Sequence, residues 1–131
     1  MTNKTWNVND SSKSPKWMFD LFHDCFDPCP LDDNPKIDGL KINWKKRNFV
    51  NPPYSDKLPW IKKAIEEQKK GNTSILLLPL DSSAAWYHDL IIPNAIILAF
   101  RGRLELDNGK HPRYGSFFAL FTPQLTLRGD G

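Results

Sequence analysis

Phe49-Val50-Asn51-Pro52-Pro53-Tyr54 is a short apolar run that ends abruptly in a stiff tetrapeptide, and it opens an alternation of strands and helices. From Leu58 to Lys70, Ile61, Ala64, Ile65 and Gln68 share one helical face, Glu66 can pair with Lys70, and Gly71 stops the helix. Ser74-Ile75-Leu76-Leu77-Leu78-Pro79 is then apolar on both faces, the pattern of a central parallel strand. Ser82 to Ile91 reads as a helix capped by Asp81 or Ser82, and Ala95 to Phe100 as a further fully buried strand. Strand, helix, strand, helix, strand is the alternation of an α/β sheet covered by helices. In such sheets ligands bind at the carboxyl ends of the strands, where Asn51 to Tyr54 falls.

Upstream, Ser14-Pro15 opens a helix, with Ser as its cap and Pro at its first position. Met18, Leu21, Phe22 and Cys25 give that helix one buried face. Residues 1–13 are polar and read as a flexible lead-in. Residues 26–48 carry Pro28, Pro30 and Pro35, an acidic patch at Asp32 and Asp33, and a turn at Asp38-Gly39, and they resist assignment. A stretch of that length inside one domain is functional or misread. Downstream, Arg103 to Leu106 and Ser116 to Thr122 read as two strands of a hairpin around Asp107-Asn108-Gly109.

Composition narrows the classes. In 131 residues, 40% hydrophobic and 25% charged is the makeup of one folded domain and excludes collagen-like, mucin-like and wholly disordered chains. Eighteen Lys and Arg against 15 Asp and Glu leave a net charge of +3, which permits a polyanionic partner without demanding one. Ala95 to Phe100 is too short to span a bilayer, and the residues after Lys4 lack a signal-peptide core, so a cytoplasmic, intracellular protein without a membrane partner is expected. Cys25 and Cys29 have no His at ligand spacing, so no metal site is expected and both thiols read as reduced and structural.

Asn-Pro-Pro-Tyr suits one chemical problem. An exocyclic amine conjugated to a ring is a poor nucleophile, and its methylation requires acceptors for both its hydrogens. The Asn51 side-chain oxygen can accept one and the Pro52 carbonyl the other. Pro52 and Pro53 fix two φ angles and remove two backbone donors, so the loop presents acceptors in a rigid frame. Tyr54 offers a flat face for an extruded base. The bland alternative is a stiff loop after a strand.

The chain resembles the phage-type DNA N6-adenine methyltransferases, over about residues 14 to 122. The resemblance is carried in order by Ser14-Pro15-Lys16-Trp17-Met18-Phe19, Phe26-Asp27-Pro28-Cys29, Asp38-Gly39-Leu40 with Trp44, and Asn51-Pro52-Pro53-Tyr54-Ser55. Leu76-Leu77-Leu78-Pro79, Trp86-Tyr87-His88-Asp89 and Phe100-Arg101-Gly102-Arg103-Leu104 continue it. It implies a compact Rossmann-like α/β fold with a mostly parallel sheet and a C-terminal β-hairpin. It also implies one catalytic domain over 14–127 without a separate target-recognition domain. The implied activity is methyl transfer from S-adenosylmethionine to the exocyclic amine of a flipped adenine in DNA.

The implied site falls on the same blocks. Asn51, Pro52, Pro53 and Tyr54 would be catalytic. Ser14, Pro15, Trp17, Asp27, Pro28, Asp38 and Asn51 would hold the cofactor, with Asp27 suited to its ammonium and Asp38 to its adenine amine. Tyr54, Ser55, Arg101, Arg103 and Tyr114 would meet the nucleic acid. Lys41, Lys45, Lys46 and Arg47 form a basic cluster, read either as a solvated face or as lying where nucleic acid approaches. The chain departs from the larger enzymes in lacking a Gly-x-Gly loop before Asp27 and an assignable ribose carboxylate, for which Asp32 and Asp33 are candidates. Two alternatives therefore stand beside this reading: a methyltransferase acting on a protein glutamine amide, and a catalytically degenerate relative that binds DNA or a partner subunit.

Overall fold

The computed structural model describes residues 16–30, 38–100 and 115–123. Helix α1 (Lys16–Phe22), strand β1 (Arg47–Val50), helix α2 (Leu58–Lys69) and strands β2 (Thr73–Pro79), β3 (Ile96–Ala99) and β4 (Ser116–Phe121) succeed one another along the chain. A 3-10 turn occupies Tyr54–Asp56 and a π-helical turn Tyr87–Ile91. The strands form one sheet in the order β1-β2-β4-β3. β1 lies parallel to β2, with Phe49 opposite Ile75 and Val50 opposite Leu76. β4 runs antiparallel to both β2 and β3, so β1, β2 and β3 share one direction and β4 opposes them.

The α/β expectation holds, but the mostly parallel sheet does not: β4 takes the slot between β2 and β3 and makes two of the three pairings antiparallel. A strand apolar on both faces reports layers above and below it, not the direction of its neighbours. The hairpin changes partner as well. β4 pairs with Ile96–Ala99 on one side and β2 on the other, and residues 103–106 lie outside the described residues. Ala95 to Phe100 is also less buried than its composition suggests: among the described residues β3 is the outermost strand, with Ile96 38% and Leu98 44% exposed.

Both faces of β2 are covered. Leu76 and Leu78 join Val50, Ile61, Ala64 and Phe117 on the side of α2. Leu77 packs with Met18 and Phe118 on the side of α1, where Phe22 stacks on Phe49 at 4.4 Å between centroids. Leu21 is 59% exposed rather than buried, and Cys25 lies beyond the end of this short helix. Burial raises the Cys25 thiol above its ordinary pKa despite Arg47 nearby, which suits an unreactive role. Ser82 to Ile91 is not a regular helix. His88 Nε2 lies 2.7 Å from the Ser82 carbonyl, and the Ser83 hydroxyl donates to Asp81 at 3.0 Å ahead of the π turn.

The stretch that resisted assignment is organised by backbone bonds to β1. Phe26 N–H donates to the Arg47 carbonyl and Phe49 N–H to the Phe26 carbonyl, at 3.0 and 2.9 Å, which places Phe26 as a parallel bridge beside Asn48. Asp38 to Lys41 closes a turn whose Gly39 carbonyl accepts from Trp44 Nε1 at 2.8 Å. A Cβ on Gly39 would overlap the Pro28 carbonyl, so this turn sits directly on the Pro28 backbone. The positive φ of Gly71, +99°, ends α2 as expected.

The charge pairing on α2 falls one residue from the expected place. Glu66 is exposed, while Glu67 is fully buried and accepts from Asn72 Nδ2 at 2.7 Å and Lys70 Nζ at 3.2 Å, with Lys63 Nζ at 3.3 Å. Burial pushes its pKa up, but the donors Asn72, Lys70, the Trp44 backbone and Lys63 outweigh this and hold it below the ordinary value. A carboxylate with a depressed folded-state pKa stabilises the fold above its unfolded pKa and loses that contribution as pH falls through the folded value. Glu67→Gln should therefore cost about 3 kcal/mol at neutral pH, and the gap from wild type should narrow in acid melts below about pH 4. Gly39→Ala should lower stability by about 1–3 kcal/mol through overpacking on Pro28, measurable by urea denaturation.

Candidate active site

Because β1, β2 and β3 point the same way, their carboxyl ends and the start of β4 lie along one edge of the sheet. The loop Asn51 to Tyr54 leaves β1 at this edge. Val50 and Pro52 are fully buried and pin the loop to the core, whereas Asn51 and Pro53 are half-buried. Pro53 adopts an extended conformation (φ −59°, ψ 130°), its carbonyl accepts from Asp56 N–H at 3.0 Å, and the chain turns into α2.

Tyr54 is held at two points. Its carbonyl accepts from Lys57 Nζ at 3.1 Å, and its hydroxyl lies 3.0 Å from the Ser116 hydroxyl at the start of β4. The Lys57 ammonium also sits 5.1 Å from the ring centre of Trp86, which in turn stacks on Phe117. The half-buried Tyr54 thus reaches across the carboxyl end of β2, since Pro79 is paired with Ser116.

The parallel bridge of Phe26 to β1 sends Asp27 out at the same edge. Asp27 Oδ1 accepts from Cys29 N–H at 2.9 Å and shapes the loop around buried Pro28. Asp38 Oδ1 accepts from Leu40 N–H at 3.0 Å, and Gly39 brings that turn onto Pro28 and toward Trp60 of α2. Trp60 and Trp44 stack at 6.4 Å behind it. Asp27, Pro28 and the Asp38-Gly39 turn therefore lie at the edge where the Asn51 loop leaves β1, with Asp27 and Asp38 exposed.

Other expectations fare differently. Trp17 is 49% exposed and meets Phe100 edge-on at 6.2 Å, on the α1 side of the sheet. Ser55 is exposed beside Tyr54. Ser14, Pro15, Arg101, Arg103 and Tyr114, and the ribose candidates Asp32 and Asp33, lie outside the described residues. The basic cluster divides: Lys41 closes the Asp38 turn with its Nζ 4.0 Å from Asp38 Oδ2, whereas Lys45, Lys46 and Arg47 lie at the amino end of β1, the opposite edge of the sheet. There Arg47 pairs with Asp24 at 3.4 Å and Lys45 covers the Phe26 ring at 5.2 Å. Among the described residues no group of three or more His, Cys, Asp and Glu is placed to hold a metal, and no helix is long and apolar enough to cross a membrane.

Sequence reasoning missed Lys57, Trp86 as its partner, and Ser116. The one available signal was Ser116 itself, a hydroxyl opening the otherwise apolar run Ser116-Phe117-Phe118-Ala119-Leu120-Phe121 and so in need of a buried partner.

The model of the DNA N-6-adenine-methyltransferase (Dam) family matches residues 2–113. A DNA N-6-adenine-methyltransferase of Haemophilus phage HP1 is 31% identical over 115 residues, covering 74% of this chain and 66% of that protein. One of Escherichia phage T1 is 36% identical over 80 residues, covering 58% of this chain and 34% of that protein. The chain thus spans about two thirds and one third of the lengths of these relatives, and no solved structure matches it. With most of its length under the family model, the chain belongs to the DNA N-6-adenine-methyltransferase (Dam) family.

Proposed function

We propose that this chain methylates the exocyclic N6 amine of adenine in DNA, using S-adenosylmethionine, at the loop Asn51-Pro52-Pro53-Tyr54. The observation that supports this reading most is that the loop, Asp27, Pro28 and the Asp38-Gly39 turn lie along the same carboxyl edge of the sheet. The donor set fits the cofactor: carboxylates for an ammonium and an amine, next to an amide side chain. When bound, S-adenosylmethionine supplies an electrophilic methyl group.

The chain's own residues do the rest. Asn51 accepts one hydrogen of the amine and the Pro52 carbonyl the other, drawing the nitrogen lone pair out of conjugation. The buried Pro52 and the extended Pro53 keep these acceptors from relaxing toward water, so catalysis rests on positioning and aimed dipoles. Tyr54 stacks on the flipped base, and Ser55 lies beside it. Asp27, Pro28, Asp38 and Asn51 line the cofactor side, while Ser14, Pro15, Trp17, Arg101, Arg103 and Tyr114 keep the roles that the resemblance implies. The sheet belongs to a Rossmann-like unit in this reading, supported by the common direction of β1, β2 and β3 and by α2 crossing from β1 to β2.

Calorimetric titration with S-adenosylhomocysteine should show micromolar binding, weakened about tenfold by Asp38→Ala through the loss of a charge-assisted hydrogen bond. No binding, with or without DNA, would instead favour the degenerate relative. Asn51→Ala should cut methyl transfer to DNA about 100-fold or more while leaving DNA binding intact, read by filter-bound radioactivity and fluorescence anisotropy.

A further inference from the structure

We infer that Ser116 is a positioning residue for methyl transfer: its hydroxyl tethers the phenol of Tyr54 and holds the ring as a ready platform for the flipped base. The inference rests on reading Asn51–Tyr54 as the methyl-transfer loop.

Ser116 is 2% exposed and opens a strand whose next residues, Phe117 and Phe118, are buried apolar groups. A hydroxyl in such a place costs free energy unless it is bonded, and its Oγ lies 3.0 Å from the Tyr54 hydroxyl, 62 residues away in sequence. The serine is itself firmly placed. It pairs with Pro79 of β2, and the carbonyl of its neighbour Gly115 accepts from Leu80 N–H at 2.7 Å. Lys57 fixes the other end of the same tyrosine by its carbonyl.

A stacking platform needs only a ring, and phenylalanine would supply one equally well. The hydroxyl adds a tether to the protein. With carbonyl and phenol both held, the ring does not have to be ordered when the base arrives, and that entropic cost is removed from DNA binding. A bond between two residues also makes a distinctive demand: removing either partner removes the same interaction, so removing both adds little.

The test is a double-mutant cycle on steady-state methyl transfer to DNA with Ser116→Ala, Tyr54→Phe and the double variant, each also followed by thermal melting. Each single variant should lose about fivefold in kcat/KM, mostly through KM for DNA, and the double variant should lose about fivefold as well rather than about 25-fold. A role for Ser116 in packing alone would persist in the Tyr54→Phe background, so losses that multiply would overturn the inference. If Ser116→Ala does not fold, Tyr54→Phe removes the same bond from its half-buried end, and an unchanged kcat/KM there would overturn it. A wild-type protein that transfers no methyl group would defeat the functional reading itself and this inference with it. An active wild type with a multiplicative cycle would defeat this inference alone.

Discussion

The parallel pairing of β1 with the buried strand β2 sets the direction of every chain exit at the site. β2 is hydrogen-bonded on both sides and covered on both faces, with Leu76 and Leu78 turned toward α2 and Leu77 toward α1. Full burial of each leucine contributes about 1.5–3 kcal/mol, so the strand has little freedom to slip by one residue and exchange its faces. Because β1 runs with β2 and Phe26 runs with β1, three segments emerge at one edge of the sheet, at Asp27, Asn51 and Leu80. The site is a consequence of strand direction before it is a matter of particular side chains.

A second consequence is how the loop is held. Tyr54 is bonded to a lysine three residues on and to a serine on β4, across the end of β2. Gly39, in turn, brings its turn against Pro28 because it has no side chain. Local backbone stiffness from two prolines and long-range tethers from β4 act on the same few atoms. A reaction that relies on aimed acceptors rather than on a strong base requires this kind of rigidity.

What was legible in the sequence divides along physical lines. Helix α2 and strand β2 were readable because their signals are local: a 3.6-residue periodicity closed by Gly71, and an apolar run with no polar face. The Asn51 loop was readable because two prolines, a tyrosine and a preceding strand coincide. Strand order was not, since periodicity reports burial and carries no direction; β3 therefore read as fully buried although it is the outermost strand among the described residues, with Ile96 and Leu98 exposed. Glu67 displaced Glu66 as the paired carboxylate because its partners Asn72 and the Trp44 backbone come from outside the helix. The basic cluster was open to two readings for the same reason. Its residues are close to Asn51 in sequence, but the length of β1 leaves Lys45, Lys46 and Arg47 on the opposite edge, while Lys41 stays on the Asp38 turn.

Methylation of adenine nitrogen at this edge is open to one decisive measurement. The protein is incubated with DNA and methyl-labelled S-adenosylmethionine, and the DNA is digested to nucleosides and separated by chromatography with mass detection. The label should appear in N6-methyldeoxyadenosine. Label confined to a protein glutamine, or DNA that stays unlabelled while the cofactor binds, would contradict the proposed activity.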